Sequence, residues 1–134
     1  MIGSLDKETM EALLETLPVE FSIVDREDRV AAWNKHETRI FKRPKGVVGR
    51  NVRDCHPKAS LSNVEQILSE MKSGKRDKAR FWIDLNLEGY EEPQKILIEY
   101  YALRDASGKY LGCLEASQNV TEIQKLKDQK RLLD

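Results

Sequence analysis

The chain has 134 residues, 40% of them apolar and 34% charged, with 23 Lys+Arg against 23 Asp+Glu. That length holds one domain with a modest core, and a net charge of zero offers no global field to nucleic acid or anionic lipid. No apolar run approaches the ~18 residues of a membrane span. Cys55 and Cys113 are too few for a disulfide framework, so a reducing, cytoplasmic setting is expected.

Met10, Leu13, Leu14 and Leu17 recur at i, i+3, i+4 and i+7, the stripe of an amphipathic helix. Asp6 or Ser4 caps its start and Pro18 ends it, because the residue before a proline avoids the helical region. Residues 20–25 and 30–33 form a hairpin around the polar Arg26-Glu27-Asp28 turn. Asn34 to Phe41 suits a short helix, with Asn34 as cap and Glu37 three residues on. Ser62 and Glu65 form a capping box ahead of Val64, Ile67, Leu68 and Met71, a second helical stripe closed by Ser73-Gly74.

Three strands follow. Residues 79–87 alternate with period two, with Trp82 as the apolar exception on the polar face. Residues 95–104 and 110–118 flank the Asp105-Ala106-Ser107-Gly108 turn. Ile96, Ile98, Tyr100 and Ala102 share one face of the middle strand, and Leu97, Tyr101 and Leu103 the other, so both faces need covering. Asn119 caps a last helix, in which Val120, Ile123, Leu126 and Leu133 make only a narrow stripe. Such a helix has little to bury alone and reads as half of a helix pair. The predicted class is α+β: one five-stranded antiparallel sheet with helices on one face and a flanking helix at each end.

This order resembles a PAS domain, the small sensor fold of bacterial and archaeal signalling proteins. Leu17 to Asp25 looks like its opening strand, and Val30-Ala31-Ala32-Trp33-Asn34 like its second strand with a closing Asn. Val48-Gly49-Arg50-Asn51-Val52 is similar to the I-G-[RK]-x-[VL] step. Residues 104–112 resemble the final hairpin, and Asn119-Val120-Thr121 stands where Asp-Ile-Thr usually precedes the exit helix. Asn119 keeps the capping acceptor of that Asp but loses its charge. Arg39 to Pro44, Asp54-Cys55-His56-Pro57, Phe81-Trp82-Ile83 and Arg131 to Asp134 look like the C-terminal PAS domains of proteins that also carry a hemerythrin-like domain. The resemblance implies a flanking helix over residues 1–17, a sensor domain over 18–119 and an exit helix over 120–134. It also implies other domains in a longer parent protein.

The chain carries no Gly-rich phosphate loop, nucleophile elbow, HExxH or CxxC, so no enzyme activity is expected. The resemblance places His56 in the segment that lines the pocket. It would serve as an axial ligand to haem iron or as a polar contact to a ligand, and a loop histidine bonded to the backbone is the plainer account. His36 carries the same haem reading. Cys55 and His56 are neighbours whose side chains diverge, so one metal shared between them is not expected. The run around Cys55 departs from the Asn-Cys-Arg-Phe-Leu-Gln box of flavin photosensors at nearly every position, so flavin–thiol photochemistry is not expected.

Phe41, Ile67, Met71, Phe81, Ile83, Ile98, Tyr100 and Leu114, with His56, are the candidate pocket residues; a filled core is the simpler outcome for so short a chain. Asn34 and Arg50 would orient a polar ligand end or cap helices. Leu13, Leu17, Trp82, Leu97 and Tyr101 are the candidate face of a homodimer. Lys42-Arg43-Pro44-Lys45 and residues 72–78 read as solvated basic loops, without a nucleic-acid partner. Asn119, Val120 and Thr121 form the expected junction through which a pocket state reaches the last helix.

Overall fold

A computed structural model describes residues 1–133. Helix α1, Lys7–Thr16, leads into strands β1, Glu20–Asp25, and β2, Val30–Trp33. Three short 3-10 turns follow, then helix α2, Lys58–Lys72. Strands β3, Lys78–Leu85, β4, Gln94–Arg104, and β5, Tyr110–Asn119, complete one antiparallel sheet of order β2-β1-β5-β4-β3. The last strand therefore returns to the centre beside the first. The expected α+β class and five-stranded antiparallel sheet hold.

Turn chemistry explains where the strands reverse. Asp25 Oδ1 accepts from the backbone N–H of Glu27 and Arg29, each at 2.9 Å, while Asp28 takes φ 63°. Asp105 Oδ1 does the same for Ser107 and Lys109, and Gly108 supplies the positive φ. Gly112 is required for another reason: a Cβ there would lie 2.3 Å from the Val24 carbonyl oxygen across the β1–β5 pair.

One face of the sheet carries α2. Val64, Leu68 and Met71 pack with Val24, Val52 and Cys113 into a buried core. The register puts Ser22, Glu115 and Tyr100 in one row of this inner face, and Glu20, Ser117, Ile98 and Phe81 in the next. The opposite face holds Phe21, Ile23, Leu97, Tyr101 and Trp82, and Trp82 is 63% exposed.

Several expected elements differ in detail. Helix α2 starts at Lys58, behind Pro57 in an extended conformation, so Ser62 and Glu65 lie inside it. Glu65 pairs instead with Arg53. Residues 34–41 form only a 3-10 turn, His36–Thr38, entered through Lys35 in the left-handed region. Asn34 is no cap: its Oδ1 accepts from Phe21 N at 2.7 Å, and its Nδ2 donates to the Leu14 and Val19 carbonyls at 2.7 and 3.1 Å. It is a buried clasp between α1 and β1.

The continuous exit helix expected over 120–134 is replaced by a 3-10 turn at Ile123–Lys125, and residues 126–133 are not helical. Asp134 lies outside the described residues. The narrow apolar stripe finds nothing to pack on within one chain, for Ile123, Leu126 and Leu133 are exposed. A helix that short is marginal without a packed face. Helix α1 buries no residue either, and Leu13 and Leu14 stay exposed.

Candidate functional site

A cavity of about 690 Å³ lies between α2, the loop before it and the β3 side of the sheet. Its apolar wall comes from Ile67 of α2, Phe81 and Ile83 of β3, Ile98 of β4 and Phe41 of the loop, where the rings of Phe81 and Tyr100 stack at 5.8 Å. Phe81 and Ile83 remain 40% and 37% exposed, so the cavity opens along the edge strand. Its size falls within the range of small-molecule sites, about 300–1,000 Å³.

The far end is polar. Arg43 Nη2 lies 3.2 Å from Glu115 Oε2, and both side chains are largely buried. Arg43 Nε donates to Ser22 Oγ at 2.8 Å, which fixes the guanidinium. Tyr100 stands beside Glu115, and burial pushes its phenol well above the ordinary range, so it stays protonated.

Behind this pair lies a second one. Arg39 donates to the carbonyls of Phe41, Phe21 and Asn34 and to Ser22 Oγ, and its Nη2 is 3.1 Å from Glu20 Oε2. The loop from Asn34 to Phe41 is thereby pinned on β1 by one buried guanidinium. Burial raises the Glu20 carboxyl and lowers the Arg39 guanidinium, each against the attraction of its partner.

His56 and Cys55 stand at the helix-side rim. The His56 Nδ1 faces the Val52 carbonyl at 2.9 Å. His36 does not line the cavity; its Nδ1 accepts from Trp33 Nε1–H at 3.1 Å. Among the described residues no group of three His, Cys, Asp or Glu is placed to hold a metal ion.

Of the pocket residues expected from sequence, Phe41, His56, Ile67, Phe81, Ile83, Ile98 and Tyr100 line this cavity. Met71 and Leu114 do not. Met71 is fully buried against Cys113, with the two sulfurs 3.6 Å apart. Leu114 pairs with Ile23 and Tyr101 on the opposite face, because β5 turns Cys113, Glu115 and Ser117 inward. Arg50 is exposed and also lies outside the cavity lining. Sequence reasoning missed Arg43 and Glu115. Arg43 was placed in a solvated loop, and a lone Glu in a strand reads as solvent-facing. No pairing signal links two residues 72 positions apart.

The junction at the end of β5 is stitched to the start of β4. Val120 N–H donates to the Lys95 carbonyl, Lys95 N–H to Thr121 Oγ1, and Asn119 Nδ2 to Gln94 Oε1. Asn119 Oδ1 accepts from Thr121 N at 3.0 Å.

A five-stranded antiparallel sheet with a cavity beneath its helices defines a small α+β domain class. A family model described as PAS domain matches residues 10–121, so the chain belongs to the PAS domain family. It is similar to a C-terminal domain from Streptococcus mutans, with 30% identity, a TM-score of 0.85 and coverage of 95% of this chain and 94% of that one. The PAS domain of Bordetella pertussis BvgS shares the fold at 18% identity and TM-score 0.62, covering 88% of each chain. VqmA bound to DPO does so at 17% identity and TM-score 0.59, over 91% of this chain and 65% of that one. No curated protein matches the sequence. Among the described residues no helix is long and apolar enough to cross a membrane.

Proposed function

We propose that this PAS domain is a signalling module that holds a small ligand in the cavity and passes the state of that cavity to the segment after β5. The supporting observation is the cavity itself: apolar-walled, open along the edge strand and lined on its β5 side by a largely buried ion pair. The route outward is short. Ile98 lines the cavity, Ile96 two residues earlier on β4 is fully buried, and Gln94 and Lys95 hold Asn119 and Thr121. A shift of β4 on ligand binding reaches the Asn119-Val120-Thr121 junction directly.

In the same reading, two copies associate through the apolar surface that one chain leaves open. Leu13 on α1 and Trp82 on the outer sheet face are exposed, and Leu17, Leu97 and Tyr101 are partly so. A stable pair is expected to bury more than ~1,000 Å². Such a pair would also give residues 120–133 the packing surface that a helix there lacks. Other domains of a longer parent protein would receive the signal.

Native mass spectrometry of freshly purified protein, with an absorbance spectrum, tests both parts. A retained small molecule on a dimer mass is the expected result. A bare monomer that takes up no apolar probe would overturn it. A second reading is haem at His56, supported by the carbonyl that holds Nδ1, the arrangement by which proteins orient a ligating imidazole. A Soret band after haem reconstitution, lost in His56→Ala, is its signature.

A further inference from the structure

The charge balance at the closed end of the cavity restricts what can bind there. Arg43 and Glu115 form a pair that is largely shielded from solvent, with a net charge of zero. Ser22 Oγ holds the Arg43 Nε, so the guanidinium cannot swing away without losing that bond. The cation behind it is already used: Arg39 is spent on Glu20, three backbone carbonyls and Ser22. Lys42 also lines the cavity, but it is exposed, and its Nζ donates to the Glu37 carbonyl at 3.2 Å.

A carboxylate entering this end would set a second negative charge beside Glu115, and an ammonium a second positive charge beside Arg43, unless each displaced the like-charged side chain from its partner. Either route leaves an uncompensated charge in a site largely shielded from solvent, which is costly. A neutral molecule with a donor next to an acceptor breaks nothing. Arg43 Nη1 makes no hydrogen bond to protein among the described residues, so it is free to donate to a ligand carbonyl. Glu115 is an acceptor for a ligand N–H. The remaining wall of Phe41, Ile67, Phe81, Ile83 and Ile98 asks for an apolar body.

We propose that the cavity selects an uncharged, largely apolar ligand carrying a hydrogen-bond donor and acceptor side by side, as a lactam or secondary amide does, its carbonyl on Arg43 and its N–H on Glu115. This ligand class rests on the reading of the cavity as a ligand site.

Calorimetric titration of the whole chain with three bicyclic probes of similar size tests it: 2-quinolone, N-methyl-2-quinolone and 2-naphthoate. The first should bind roughly tenfold or more tightly than either of the others, since the second lacks the donor and the third carries a charge. In Glu115→Gln, Arg43 loses its counter-charge, and 2-naphthoate should overtake 2-quinolone. The ranking by the unaltered protein stands without this variant, should it fold poorly. Tightest binding of 2-naphthoate by the unaltered protein overturns the ligand class and leaves the cavity a ligand site. Equal binding of the N-methyl compound does the same, because the donor would then contribute nothing. If none of the three binds, the ligand class and the ligand-site reading fall together.

Discussion

The two halves of the inner sheet face are built differently on the same strands. Toward β1 the surface is nearly closed: Met71, Leu68 and Val64 of α2 pack over Val24 and Cys113 and leave a void of only about 20 Å³. Toward β3 it is hollow: Ile67 looks across a cavity to Phe81 and Ile83. The buried charges Glu20, Arg39, Arg43 and Glu115 lie where one half passes into the other. The fold thus keeps its packed core on one side and its cavity on the other. Side chains in the closed half should be dear to stability, and those in the open half cheap.

The largest expected effect is at the boundary. Arg39→Met removes a guanidinium that satisfies three backbone carbonyls and leaves Glu20 buried without its cation. A loss of about 3–5 kcal/mol is expected in urea unfolding. A loss below about 1 kcal/mol would show that water reaches Glu20 and that the boundary is open. Next is Met71→Ala in the closed half, where a fully buried side chain leaves a void, expected at about 2–5 kcal/mol.

Phe81→Ala in the open half is the matching control. Its ring already faces solvent and the cavity, so about 1 kcal/mol or less is expected, with a clear loss of 2-quinolone binding. If Phe81→Ala destabilises as much as Met71→Ala, the two halves are equivalent and the hollow is a fault in packing.

The closed half was the more legible in the sequence. Val64, Leu68 and Met71 announce themselves by helical spacing, and the strands around them by alternation. Ile67, Phe81, Ile83, Ile98 and Tyr100 of the pocket candidates follow from the same periodicities, whereas His56 comes from the family resemblance. Leu114 failed because β5 alternates without saying which parity points inward. The answer came from its pairing with Ile23 and Tyr101, which is tertiary information. Arg43 and Glu115 failed for the opposite reason: burial of a charge is decided by a partner distant in sequence. The exit helix failed because local caps and a thin stripe cannot hold a helix without a surface to bury. Asn34 reads from sequence as a helix cap or a polar ligand contact, because its three bonds to distant backbone cannot be read from its neighbours.

The two cysteines give the finest contrast, since each marks one half. Cys113 is buried in the closed core against Met71, and burial pushes its thiol up to about 12. The thiolate is the nucleophile, so at pH 8 Cys113 is both protonated and screened. Cys55 lies half-buried on the rim of the open cavity. A thiol reagent in slight excess at pH 8 should therefore label one cysteine per native chain, Cys55 by peptide mapping, and both in denaturant. The rate at Cys113 should follow opening of the core, so Met71→Ala should speed it and Phe81→Ala should not. Equal rates at both cysteines in the native chain would mean that the Met71 side opens as readily as the cavity. Protection of Cys55 by 2-quinolone, with Cys113 unaffected, would place the bound molecule in the hollow half alone.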